Sequence, residues 1–279
     1  MGNFSLAEIL HNSKYLVCLT GREMIVEDGI DSMRDMKTAY EIELKYGYSP
    51  EEVFSAQFFS TRPEQFYKFY RDEVLAQVKE PGKAYYALAA LEKMGILKCT
   101  ITRQLFNLVK RAGCQNVYNL HGNIYDNNHC PRCGRIYSID YMKKGKIPLC
   151  EKCGIPIHPG VILLGEMVEI GLTTRAADEV SKADTLLILG SDMRTEMVQQ
   201  FIKYFQGERV VLINAGPHFA DQEADYCLYG KIADILTAAV EELQGKPEYQ
   251  QQEEVKEEAA KGPSAQRPED ADAEDHQRS

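Results

Sequence analysis

The residues most clearly spaced for chemistry are four cysteines in two pairs, Cys130-Pro-Arg-Cys133 and Cys150-Glu-Lys-Cys153. Residues 134–149 separate the pairs, sixteen positions, within the range of four-cysteine zinc sites. Each pair forms a tight knuckle, and a glycine follows each one directly, Gly134 and Gly154. Four thiolates complete a tetrahedron and leave no open position, so the expected ion is structural Zn2+. A pair of redox dithiols is the competing reading, and His129 could stand in for one sulfur. The other four cysteines, Cys18, Cys99, Cys114 and Cys227, lie in or beside apolar runs and read as small buried hydrophobes.

A second candidate is His121, which closes the apolar run Asn116–Leu120 and precedes Gly122. Its ordinary pKa near neutrality suits a general base, although a histidine at a strand end is more often structural. A third is Gly21, which ends the apolar run Tyr15–Thr20. A strand, a glycine and a helix in that order let backbone N–H groups approach a pyrophosphate.

The elements around these residues alternate. Apolar runs at 15–20, 96–101, 116–120, 160–164, 185–189 and 209–214 read as strands, several of them apolar on both faces. Amphipathic stretches at 103–112, 173–183 and 195–205 read as helices between them. Such alternation predicts an α/β fold, a Rossmann-type doubly wound parallel sheet. Ser5 with Glu8 reads as a capping box, and Ser49 followed by Pro50 as a helix start.

The expected organisation is a main α/β domain from 1–32, 92–121 and 160–244. A helical module at 33–91 and a zinc-binding module at 122–159 interrupt it. The tail at 245–279 is nearly devoid of aliphatic residues and rich in charge, which predicts disorder.

Composition narrows the function. Net charge is −10, from 32 Lys+Arg against 42 Asp+Glu, which argues against nucleic acid as a direct partner. No apolar run is long enough to cross a bilayer and the N-terminus lacks a secretory pattern, so a cytoplasmic protein without a membrane partner is expected.

One family carries these features in this order. The Gly21 loop, Thr102–Gly113, Leu120-His121-Gly122, the paired knuckles, His158–Glu166, Gly190-Ser191-Asp192 and Ile213-Asn214 together resemble the sirtuins, NAD-dependent protein-lysine deacylases. The resemblance runs from about Ser5 to Leu243. It implies a Rossmann-type nucleotide-binding domain, a small domain built from the helical and zinc-binding modules, NAD as cofactor, an acylated protein or peptide as substrate, and a cleft between the two domains where they meet. His121 then falls at the position of the general base. Gly21, Arg22, Arg34, Gln104, Gly190, Ser191 and Asn214 fall along the dinucleotide, and Val161, Leu164, Gly165 and Glu166 along the acyl-lysine tunnel and peptide.

Several positions depart from the family pattern. Glu23 stands in the glycine-rich loop where a glycine is usual, and Asp192 where a serine is usual. Arg103-Gln104-Leu105-Phe106 replaces Gln-Asn-x-Asp, and His158 replaces an arginine. Arg22 and Arg194 are the expected partners of the two new carboxylates. The departures keep further readings open: a catalytically impaired sirtuin-fold protein binding a nucleotide or acylated peptide, or an ADP-ribosyltransferase.

Overall fold

The computed structural model describes residues 5–247 and 249. The predicted acidic tail therefore lies, from residue 250 on, outside the described residues. Six strands form one parallel sheet: β1 (Leu16–Thr20), β2 (Leu97–Thr102), β3 (Val117–Asn119), β6 (Thr185–Leu189), β7 (Arg209–Asn214) and β8 (Tyr226–Tyr229). Their order is β3-β2-β1-β6-β7-β8, and every neighbouring pair is parallel. The remaining strands, β4 (Asn128–His129) and β5 (Ile136–Tyr137), make a small antiparallel pair.

The sheet is buried because both of its faces are apolar. Every residue of β1 and β6 is buried, and alternate residues feed two different cores. Leu16, Cys18, Leu187 and Leu189 join one, with α1 (Leu6–His11), α7 (Lys83–Lys93) and α12 (Ile232–Gln244). Val17, Ile101, Leu186 and Ile188 join the other, with α10 (Ile170–Lys182) and α11 (Glu196–Ile202). The period-2 alternation of a strand thus fills a layer on each side, the doubly wound arrangement. The sheet order reverses between β1 and β6, so a crevice opens at their C-terminal ends.

Between β1 and β2 run α2 (Arg22–Glu27), α3 (Met36–Tyr46), α4 (Pro50–Val53), α5 (Ala56–Thr61) and α6 (Pro63–Phe69), followed by α7. Ser49 caps α4 as expected, its hydroxyl accepting from Glu52 N–H at 3.2 Å, with Pro50 in the first turn. Phe66 stacks on Tyr70 with ring centroids 5.6 Å apart, at the centre of an aromatic cluster that holds this segment together. After β3 come β4, β5 and the short α9 (Ile139–Met142).

Five expectations change. The run 160–164 is not a strand of the sheet. Its backbone makes isolated bridges instead, Val161 with Gly122 and Leu164 with Ser55, because both inserts bond it across the crevice. The predicted helix at 103–112 shrinks to α8 (Leu108–Arg111), since Asn107 takes a left-handed conformation (φ 53°) that stops a helix from starting earlier. Residues 103–106 are therefore loop. Ser5 makes no capping box; its hydroxyl donates to the Glu242 carboxylate at 3.0 and 3.1 Å, tying α1 to α12. Strand β8 was not anticipated, because its apolar run is only four residues long, closely flanked by Asp225 and Gly230, and half exposed. Cys227, on β8, is exposed rather than buried, while Cys18, Cys99 and Cys114 are buried as expected.

Candidate functional site

A cavity of about 770 Å³ occupies the crevice at the ends of β1, β2 and β6. Its lining includes Gly21, Arg22, Arg34, Gln104, Phe106, His121, Gly190, Ser191 and the run Ile162–Glu166. Most of the residues singled out in the sequence therefore meet in one place.

The floor depends on Gly21. Its backbone is extended enough for any residue (φ −97°, ψ −169°), but a Cβ there would lie 2.3 Å from Gly190 O and 2.4 Å from Ser191 Cβ. The two loops approach this closely only because no side chain intervenes. Gly21 N–H donates to Leu189 O at 2.7 Å and Glu23 N–H to Gly190 O at 3.0 Å, so α2 begins directly against the end of β6. Asn214 does not line the cavity. It is buried at the end of β7, and its amide bonds both backbone groups of Ser191, at 3.0 and 3.3 Å, which fixes that loop from below. The expected charge pairings differ too. Glu23 accepts from the backbone N–H of Ala215 at 2.9 Å, and the Arg194 guanidinium pairs with Glu223. Asp192 accepts instead from Arg194 N–H at 2.8 Å, a local turn bond.

One wall carries His121. Burial is the main cause that pushes its imidazole down to about 4, helped by the nearby cations Arg103 and Arg34 and opposed by Glu196. The ring is therefore neutral at pH 7 and free to accept a proton. Gln104 lines the cavity and is held within the protein: its amide accepts from Tyr85 OH at 2.9 Å and donates to Gly21 O at 3.0 Å. It braces the Gly21 loop, and Tyr85, which does this work from α7, carries no local sequence signal. Arg103 binds Gln200 at 2.5 Å and Glu196 at 3.2 Å, while its buried Nε has no partner among the described residues.

The adjoining wall is the run 158–166. Ile162 N–H donates to His121 O at 2.8 Å, linking the two walls. Ile162, Leu163, Leu164, Gly165 and Glu166 line the cavity, whereas Val161 is buried behind it. The resemblance implied Val161 as a lining residue, but its side chain turns into the core while Leu164 faces the cavity. His158 Nε2 lies 2.7 Å from Glu166 Oε1, and Glu166 Oε2 accepts from Leu163 N–H at 2.7 Å. Together they close the run into a rigid loop.

The four paired cysteines converge, with all four sulfurs within 4.8 Å of one another. Zn–S bonds of 2.3 Å in a tetrahedron require sulfurs about 3.8 Å apart; Cys133 and Cys150 are 3.7 Å apart. Both knuckles share one geometry: Gly134 N–H donates to Cys130 O at 2.9 Å and Gly154 N–H to Cys150 O at 2.8 Å. The left-handed turns (φ 69° and 67°) explain the two glycines. Tyr137 OH, 3.2 Å from the Cys150 sulfur, helps hold that thiol down to about 6. The set fits a structural Zn2+. His129 stays outside it, its ring turned to Asn127 O at 2.9 Å.

A doubly wound sheet with a cavity at its switch point and a four-cysteine knuckle between strands defines a nucleotide-binding α/β protein with a metal-braced insert. The particular family follows from comparison with known proteins: the Sir2 family profile matches residues 21–196, and the chain belongs to that family. It is 32% identical over 237 residues to the NAD-dependent protein deacetylase of Clostridium acetobutylicum, covering 84% of this chain and 96% of that one. It is 34% identical over 244 residues to the NAD-dependent protein deacylase 2 of Archaeoglobus fulgidus, covering 85% and 94%. A sirtuin solved for substrate affinity superposes with a TM-score of 0.77 at 27% identity, over 87% of this chain and 99% of that one. A Sir2 solved with a p53 peptide and NAD+ superposes with a TM-score of 0.73 at 25% identity, over 87% and 98%.

Proposed function

We propose that this chain is an NAD-dependent protein-lysine deacylase whose general base is His121. The observation that carries the reading is a neutral imidazole on one wall of the cavity, bonded through its backbone to the substrate-side run at Ile162. The relatives named as deacetylase and deacylase, and the one holding peptide with NAD+, support the same reading.

Gly21, Arg22, Gly190 and Ser191 would hold the dinucleotide, with Asn214 fixing Ser191 and Gln104 bracing Gly21. Arg34 and Arg103 offer the positive charge. NAD, when bound, supplies an electrophilic ribose carbon and nicotinamide as leaving group. His121 would accept a proton from a hydroxyl presented at the wall, its ring kept uncharged until then by burial, with Arg103 and Arg34 adding to the effect. Ile162 to Leu164 form the apolar wall for the acyl chain, and Gly165 and Glu166 the rim for the peptide backbone. Val161 supports them from behind. Zn2+ on Cys130, Cys133, Cys150 and Cys153 has no open position and serves structure.

Among the described residues no helix is long and apolar enough to cross a membrane. The test is mass spectrometry of an acyl-lysine peptide incubated with NAD and zinc-loaded protein. Deacylated peptide and free nicotinamide are expected, with formation of deacylated peptide falling by about 10²–10⁴-fold on His121→Ala. Binding of NAD and peptide without either product would refute the reading and leave a binding scaffold.

A further inference from the structure

The Glu23 side chain reaches across the ends of three neighbouring strands. It starts on the first turn of α2, after β1, passes over Gly190 at the end of β6, and ends on Ala215, just past β7. Its carboxylate accepts from Ala215 N–H at 2.9 Å, and its Cβ lies so near Gly190 that a Cβ on Gly190 would be 2.9 Å away. The path crosses the sheet's switch point, where a doubly wound fold receives its dinucleotide.

Two further observations agree. The cavity lining includes Glu23, Ser191 and Asp192 but neither Asn214 nor Ala215, so Glu23 stands at the cavity's edge on the side of β7. Glu27, one turn along α2, accepts from Ile232 N–H and Ala233 N–H at 2.9 Å each. Helix α2 is thus braced at two points, against the β7 loop and against the start of α12.

We propose that Glu23 is a strut that closes the outer half of the dinucleotide groove, so that NAD binds only after the Glu23–Ala215 bond is released. The inference rests on the proposed NAD chemistry and concerns a residue that takes no part in it. The strut is self-competition: the carboxylate holds a backbone donor and a path that a ribose-phosphate would need, and adds like charge beside the phosphates. A hydrogen bond to a charged acceptor is of the size that weakens a competing ligand roughly tenfold.

Calorimetric titration of NAD into the zinc-loaded wild type, Glu23→Gln and Glu23→Ala tests this, with circular dichroism confirming that each is folded. The expected result is a Kd about tenfold lower for Glu23→Ala, with Glu23→Gln between the two because its amide still accepts from Ala215. Equal Kd values in wild type and Glu23→Ala, or weaker binding by Glu23→Ala, would overturn the strut and leave the deacylase reading intact. A gain in Glu23→Gln as large as in Glu23→Ala would place the effect in charge alone and also overturn it. No binding by any of the folded proteins would overturn both.

Discussion

Replacing Gly21 by alanine perturbs the contact on which the whole crevice depends, and its size can be worked out. The new methyl would sit 2.3 Å from Gly190 O and 2.4 Å from Ser191 Cβ, where ordinary contacts begin at 3.4 Å. The β1 and β6 loops must therefore part by about 1 Å, and neither obstacle is a flexible side-chain end. Parting stretches the bonds from Gly21 N–H to Leu189 O and from Glu23 N–H to Gly190 O, each worth about 1 kcal/mol, and losing about half of each costs about 1 kcal/mol in all. With about 1–3 kcal/mol for overpacking, the variant should lose about 2–4 kcal/mol of stability. For a chain of this size that lowers Tm by roughly 5–15 °C. The backbone angles at Gly21 suit alanine, so conformational strain contributes nothing. Thermal unfolding of the zinc-loaded protein measures the shift, and NAD titration should show weakened binding. A variant that melts within 1 °C of wild type and binds NAD equally well would refute the argument from close approach.

Three further outcomes follow from the same geometry. His121→Ala should slow deacylation by about 10²–10⁴-fold with NAD affinity little changed, measured by product mass spectrometry and calorimetry. The low pKa of His121 also links stability to pH: above about 6.5 the ring is neutral in both states, and below that the unfolded chain takes up the proton first. Stability should therefore fall as pH drops from about 6.5 toward 4, with a shallower slope in His121→Ala, as read by urea unfolding. His158→Ala removes the partner that holds Glu166 and should raise the KM for an acyl peptide about tenfold with kcat nearly unchanged.

Much of this site was legible because its signals are local. The knuckles are set by spacing within four residues, and the Gly21 loop and His121 by position at the ends of apolar runs. The sheet was legible wherever strands are buried on both faces, and illegible at β8, which is half exposed. What escaped depends on distant contacts. Nothing near Gln104 reveals that its amide turns to Tyr85 and Gly21, and nothing near Glu23 reveals Ala215, almost two hundred positions away. The run 160–164 misled because its apolar composition is that of a strand, yet its backbone partners come from both inserts. Propensity describes the segment, and the partners decide its conformation.

The central place of β1 has a consequence for synthesis. Its neighbours are β2 and β6, so Leu16 pairs with Leu97 on one side and with Thr185 on the other. On the ribosome the strand's second edge stays bare until Leu189 has emerged. Translation from Thr102 to Leu189 takes on the order of 5–20 s, far longer than a chain needs to collapse. Through that interval an apolar strand with an open edge is a template for the wrong partner. Nascent chains of this protein should therefore depend on a chaperone that shields the half-built sheet.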